Sequence, residues 1–258
     1  MKQIVKCFFI ALGISTVIMS CNSNDKKTDS TTTDTSAITS ETLVGSQEND
    51  IDAVKAAPAL YKMLRDSAEI KILEVNYKPG DSSIMHVHPD NVLYVIDGGT
   101  GEFTEKDGSK RVTELKAGMV ARRPAGSHAV KNVGKTTLRA ILFEINRPGN
   151  VGPAIDATMD AVKVSPANYK IVVPDSTGIR VLMATYKAGE SSGKHSHADQ
   201  AIYVIEGSET EFTDKDGGKH PMAMVKGDAR IIPGVTTHSA KNTGKGTMKV
   251  LIVEVNKR

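Results

Sequence analysis

From about residue 68 onward the apolar positions fall in short runs rich in Val, Ile and Thr, closed off by Asp-Gly or Pro-Gly pairs. No long stretch repeats with the 3.6-residue period of a helix. The pattern predicts strands throughout, an all-β chain. Asp107-Gly108 and Asp216-Gly217 each separate two strand-like segments and predict tight hairpins, because glycine tolerates the positive φ that such turns need. Many short strands in a unit of about ninety residues favour a small barrel or jelly roll, which leaves few exposed edges.

The same pattern occurs twice. Tyr77-Lys78-Pro79-Gly80-Asp81-Ser82-Ser83 returns as Tyr186-Lys187-Ala188-Gly189-Glu190-Ser191-Ser192, and Tyr94-Val95-Ile96-Asp97-Gly98 returns as Tyr203-Val204-Ile205-Glu206-Gly207, at an offset of 109. Phe143-Glu144-Ile145-Asn146 and Val253-Glu254-Val255-Asn256 close the two copies alike. The chain therefore divides into modules at 53–147 and 166–258, joined by a connector at 148–165. There Pro148-Gly149-Asn150 and Gly152-Pro153 mark turns, and residues 154–162 suit a short helix. Two copies in one chain are expected to pack against each other as a pseudo-dimer.

Composition changes this picture little. Apolar residues at 39% and charged residues at 24% are ordinary for a globular protein, and the absence of Trp with 4% aromatics suggests cores filled by Val, Ile, Leu and Met. The formal charge of +3 falls to +1 without residues 1–20, which hold Lys2 and Lys6 and no acid. Lys and Arg alternate with Asp and Glu, and no like-charge run forms a stripe that would track phosphates, so a nucleic-acid partner is not expected.

The N-terminus carries a targeting signal. Lys2 and Lys6 precede an apolar stretch from Cys7 to Met19, shorter than the roughly 20 residues that span a bilayer. Ile18-Met19-Ser20-Cys21 resembles the lipobox of bacterial lipoproteins, which implies cleavage before Cys21, acylation of its thiol, and anchoring to a membrane of the bacterial cell envelope, at the outer membrane or facing the periplasm. Residues 1–20 are then a signal peptide. Residues 21–52 read as a disordered tether, since their Asn, Ser, Asp, Lys and Thr offer too little apolar surface to offset the entropy of ordering.

Six of the seven histidines occupy matching places: His86, His88 and His128 in the first module, His195, His197 and His238 in the second. Residues i and i+2 of a strand share a face, so His86 with His88, and His195 with His197, present paired imidazoles that a third histidine can join. Such trios suit a divalent transition metal (Fe, Mn, Ni, Zn or Cu) and leave coordination positions for water or substrate. His220 has no partner in the first module and reads as a surface residue.

The residues around these histidines carry a resemblance. Gly80-x5-His86-x-His88 leading to Gly98, and Gly118-x5-Pro124-x-Gly126-x-His128-x3-Asn132, resemble the two cupin motifs. The second module repeats both, as Gly189-x5-His195-x-His197 to Gly207 and Gly227-x5-Pro233-x3-Thr237-His238-x3-Asn242. The resemblance implies a bicupin, two tandem double-stranded β-helix (jelly-roll) barrels. It also implies a glutamate as fourth ligand, with six residues between it and the closing glycine, where this chain has Asn91 and Gln200. An amide can bind through its oxygen, as glutamine does in some cupins, but the loop after the second histidine is one residue short, so Asp90 and Asp199 are rival fourth ligands. Val235 stands where the second motif has its glycine. Oxalate decarboxylase activity, known among bicupins, is disfavoured because its sites resemble the glutamate-containing pattern.

The resemblance implies three kinds of function. One is a metal-dependent enzyme acting on a small molecule, of dioxygenase, isomerase or sugar-processing type. Another is a non-catalytic module that captures a small ligand or sugar at the cell surface, and the last is a barrel that its metal merely stiffens. Tyr94, Tyr203, Asp90, Asp199 and Arg123 are candidates for contact with substrate or for support of the ligands, and Arg122 and Arg230 could receive an anion.

Overall fold

The computed structural model describes residues 50–147, 155–175 and 177–255. The signal segment, Cys21, the tether as far as residue 49 and residues 148–154 of the connector lie outside the described residues. The first module contains a one-turn helix α1 (Ala53–Ala56) and strands β1 (Tyr61–Ser67), β2 (Ile70–Tyr77), β3 (His86–His88), β4 (Asp90–Asp97), β5 (Gly99–Glu105), β6 (Lys110–Leu115), β7 (Val120–Arg123), β8 (Gly126–Asn132) and β9 (Leu138–Ile145). A short 3-10 turn at Ala157–Met159 leads to α2 (Ala161–Val164) and the second set: β10 (Tyr169–Val173), β11 (Ile179–Tyr186), β12 (His195–His197), β13 (Asp199–Glu206), β14 (Ser208–Asp214), β15 (Lys219–Met224), β16 (Ala229–Ile232), β17 (Thr236–Asn242) and β18 (Met248–Val255).

Each module is a five-stranded antiparallel sheet, β1-β2-β9-β4-β7 or β10-β11-β18-β13-β16, facing a four-stranded one, β3-β8-β5-β6 or β12-β17-β14-β15. This is the tandem cupin fold. Both Asp-Gly pairs turn hairpins, β5 to β6 and β14 to β15, with φ of 82° at Gly108 and 92° at Gly217. The glycine closing the first motif is needed for another reason: a Cβ on Gly98 would lie 2.7 Å from the carbonyl oxygen of Leu115. The asparagine of the second motif ties a loop. Asn132 donates to the carbonyls of Tyr77 and Thr136 at 2.8 Å and accepts from the amide of Gly134, and Asn242 makes the same three bonds.

The second repeat begins earlier than the connector at 148–165 suggests. Asp160 caps α2 as Asp52 caps α1, each accepting backbone N–H bonds that the first helical turn cannot satisfy internally. Asp52 also bridges to Val87 as Asp160 does to Ser196. Residues from Asp52 and from Asp160 onward thus belong to the modules.

Alternation along the central strands decides where each side chain goes. Leu93, Val95, Ala140 and Leu142 point into the first barrel and pack with Phe103, Leu115 and Val130, and Ile202, Val204, Val250 and Ile252 do the same in the second. The intervening residues, including Val92, Tyr94, Ile141 and Phe143 with Ala201, Tyr203, Leu251 and Val253, form a single cluster that draws on both modules. Burial on both faces is why Val250-Leu251-Ile252-Val253 is apolar without a break. The strand contacts between modules are reciprocal, β1 near β16 and β7 near β10.

Tyr94 and Tyr203 belong to this cluster, ring to ring at 6.0 Å and each 8% exposed, and line neither histidine site. Adjacent strand residues face opposite ways, so Tyr203 cannot share a face with Gln200 three residues before it. Tyr203→Ala should cost about 3 kcal/mol of unfolding free energy, the scale of truncating a buried aromatic. Urea titration should show that loss while metal content stays at the wild-type value.

Candidate metal centres in the two barrels

The histidines meet through strand pairing. In the first barrel β3 holds His86 and His88, and β8 sets His128 opposite His86; in the second, β12 holds His195 and His197, and β17 sets His238 opposite His195. Within each trio the atoms able to ligate lie within 4.8 Å of one another. Thr236, not Val235, takes the ladder position of Gly126, opposite His197 as Gly126 is opposite His88. The second module carries one extra residue in the loop before β17, and Val235 lies in that loop rather than in the glycine's place.

Hydrogen bonds fix which nitrogen faces the centre. His86 Nδ1 lies 2.8 Å from the Ile84 carbonyl and His195 Nδ1 lies 2.7 Å from the Gly193 carbonyl. A carbonyl only accepts, so Nδ1 carries the proton and Nε2 presents a lone pair. His88 Nδ1 donates to Glu144 at 2.7 Å and His197 Nδ1 to Glu254 at 2.6 Å, both carboxylates being buried. His195 Nε2 and His197 Nε2 stand 3.0 Å apart. Two lone pairs at that distance repel unless a cation lies between them, and 3.0 Å is close to the edge that two nitrogens make when each is about 2.1 Å from a shared ion. The donor set fits a divalent transition metal.

Electrostatics keep these rings available. Burial lowers His128 and His238 to about 3 and His195 to about 4, reinforced by neighbouring histidines, and lowers His86 as well. These four rings are neutral at physiological pH, the form that binds metal. Burial by itself would raise the Glu254 carboxyl, but His197 and Arg180 outweigh it and hold the group below the usual carboxylate range. Arg180 bonds Glu254 through Nε and reaches Asp160 at 2.6 Å. Lys71 holds the ladder place of Arg180 in the first module, opposite Glu144.

The rival fourth ligands separate cleanly. Asn91 and Gln200 are buried and line the barrel cavities with His88 and His197. Asn91 Nδ2 donates to the Pro89 carbonyl and Gln200 Nε2 to Thr236 Oγ1, so each nitrogen is engaged elsewhere. Asp90 and Asp199 start β4 and β13 with the opposite phase and do not reach the histidines. Asp90 accepts from the Ala125 amide and pairs with Arg122 at 3.1 Å; Asp199 accepts from the Gly234 amide and pairs with Arg147 of the first module at 2.7 Å. These aspartates anchor the loop before β8 and β17.

Sequence reasoning missed two further groups. Glu144 and Glu254 stand out as lone acids within apolar strands, a signal repeated in both copies. Tyr61 and Tyr169, buried above the sites, place their hydroxyls 3.1 Å from His86 Nε2 and 2.9 Å from His195 Nε2, and each accepts from a second tyrosine, Tyr77 or Tyr186. Burial raises the Tyr61 and Tyr169 hydroxyls well above the usual tyrosine range. Their signal was Tyr-Lys at 61 and 169, recurring at an offset of 108 rather than 109.

The cavities differ. That of the second barrel is about 550 Å³ and reaches His197, Gln200 and His238. That of the first is about 50 Å³. Arg123 lines the smaller one and lies over the Phe103 ring at 5.1 Å, with Arg111 over the same ring at 4.9 Å. Arg230 and His220 line the larger; Arg230 pairs with Asp228 at 3.0 Å and His220 with Asp214 at 2.9 Å. His220 is exposed, as a surface residue would be, but at the cavity mouth.

The model of the Cupin domain matches residues 73–144 and 182–254. Among solved structures, oxalate decarboxylase of Bacillus subtilis, described with Mn(II) centres, is similar at 15% identity with a TM-score of 0.54, over 74% of this chain and 70% of that one. AerE from Microcystis aeruginosa is similar at 13% identity with a TM-score of 0.53, over 77% of this chain and 98% of that one. These are likenesses of fold. No curated protein sequence matches the chain.

The lowered histidines set an acid limit. In the metal-free chain unfolded His128, His195 and His238 take up protons as pH falls through 6.5, while in the fold these three rings stay neutral down to about 3 or 4. Stability is therefore lost progressively over that interval. Thermal melts of metal-free protein should fall steeply between pH 6.5 and 4, and added metal, which competes with protons for the same nitrogens, should shift the fall to lower pH.

Proposed function

The chain belongs to the cupin family, and from that premise we propose that it is a lipid-anchored bicupin of the bacterial cell envelope whose second barrel acts on a small molecule at a divalent metal. The observation that carries the reading is the duplicated trio of clustered imidazoles, each trio backed by a buried glutamate. Such backing fixes ring orientation and commonly changes metal affinity by about 10–100-fold when removed.

His86, His88 and His128, and His195, His197 and His238, would hold the ions, with the Asn91 and Gln200 oxygens as fourth ligands. A bound Fe, Mn, Ni, Zn or Cu ion would supply Lewis acidity, an acidified water or redox chemistry. The Mn(II) centres of the Bacillus subtilis oxalate decarboxylase make manganese a first ion to test. Gln200 brings no negative charge, so the proposal does not extend to oxalate decarboxylation. Glu254 and the Gly193 carbonyl hold the imidazoles in place, the apolar wall excludes water, and the Tyr169 hydroxyl keeps its proton beside His195 Nε2, where it can donate to a polar atom of a substrate. Substrate enters through the open mouth of the second barrel.

The first barrel supports a second reading. Its cavity is nearly filled and capped by Arg123, which suits a stiffening metal rather than a reacting one. The reciprocal contacts of β1 with β16 and β7 with β10, and the shared apolar cluster, support packing of the modules as a pseudo-dimer, since exchanged contacts are the signature of a two-fold interface.

Metal analysis of the purified chain should give two ions, one lost in His86→Ala/His88→Ala and the other in His195→Ala/His197→Ala. Turnover of any substrate found should disappear only with the second pair. Absence of metal after reconstitution with all five ions would overturn the reading. Cys21→Ser should move the protein from the membrane to the soluble fraction and abolish incorporation of labelled palmitate.

A further inference from the structure

The two barrels align strand by strand, so their cavities can be compared residue by residue. Opposite the amide ligand, Arg123 pairs with Asn91 in the first barrel, and Ile232 pairs with Gln200 in the second. Opposite the aromatic ring on the facing sheet, Arg111 pairs with Phe103, and His220 pairs with Phe212. On the other side of that ring, Val130 is replaced by Ala240. Both guanidiniums of the first barrel lie over Phe103, a favourable cation–π arrangement that closes the mouth with charge. In the second barrel neither cation is present, and His220 turns to Asp214 instead of covering Phe212.

The space that results is about 550 Å³ against about 50 Å³. The larger value lies within the roughly 300–1,000 Å³ of small-molecule sites, whereas the smaller holds no more than a water or two at about 30 Å³ each. Ile202, Phe212, Met222, Met224, Met248 and Ile252 make the wall of the larger cavity. Three methionines in one wall supply flexible, polarisable surface that adapts to an apolar shape. Polar groups concentrate at the floor, where His197, Gln200 and His238 lie, and at the rim, where Asp214, Lys215 and Arg230 lie.

We infer that the second barrel selects an apolar organic molecule carrying one polar group, the polar end on the histidine and Gln200 floor and the hydrocarbon along the methionine wall, while Arg123 keeps such molecules out of the first barrel. Only the placement of the polar end rests on the metal reading above; the choice of an apolar body rests on the wall. A two-carbon acid or a free sugar would leave this wall bare.

Linear carboxylates serve as the probe. Calorimetric titration of the metal-loaded full chain with acetate, hexanoate, octanoate and decanoate should show one site per chain, with affinity rising about fourfold per methylene. The binding should survive His86→Ala/His88→Ala and be lost in Ile232→Arg, with both metals still present in the latter. Where Ile232→Arg folds poorly, Ala240→Leu, which fills the cavity without adding charge, should weaken decanoate and spare acetate. Affinity independent of chain length, two decanoates per chain, or unchanged decanoate binding in whichever of these variants folds would overturn the inference. The two readings fail separately: two metals without chain-length dependence sinks this inference alone, and chain-length dependence in a chain that never takes up metal sinks the metal reading alone.

Discussion

A strand sends alternate side chains to opposite faces, and in β4, β9, β13 and β18 both faces are buried. Every element of the centre depends on that constraint. One phase of each strand builds a barrel interior with its histidines, and the other builds the apolar cluster that draws on both modules. The buried glutamates follow from it: Glu254 sits between Val253 and Val255, which face the cluster, so it points into the barrel toward His197. A buried carboxylate is tolerable only when paired and hydrogen-bonded, and the imidazole with Arg180 behind it meets that demand. The pairing stabilises the carboxylate and orients the ligand at once.

Much of this was legible in the sequence, for identifiable reasons. The histidine trios stood out because the residue is rare here and the i, i+2 spacing has one meaning on a strand. The strands and the Asp-Gly hairpins were legible because local pattern and turn chemistry agree. The fourth ligand was not, because a one-residue difference in loop length changes the strand's phase, and only the ladder shows that Asn91 and Gln200 face inward while Asp90 and Asp199 hold a loop. Tyr94 and Tyr203 could not be placed because strands buried on both faces erase the alternation that tells inside from outside. Glu144, Glu254, Tyr61 and Tyr169 were visible as repeats, yet their meaning came from long-range pairing.

The two modules share the histidine trio and differ in what surrounds it. The doubly paired Arg180 of the second barrel stands where the first has Lys71, and Ile232 stands where the first has Arg123. The first difference alters how firmly the glutamate is held; the second sets apolar surface where the first barrel has a half-buried cation at its mouth. One backbone thus presents two centres with the same donor atoms and different access, and the chemistry of each follows from its walls more than from its ligands.

The central claim is that each histidine trio holds a divalent ion. The direct measurement is an anomalous-scattering map from crystals of manganese-loaded protein, collected on both sides of the metal edge. The account predicts two peaks per chain, each about 2.0–2.3 Å from three imidazole nitrogens, His86, His88 and His128 around one and His195, His197 and His238 around the other. Peaks at Asp90 or Asp199 instead, or no peak within either trio, would contradict it.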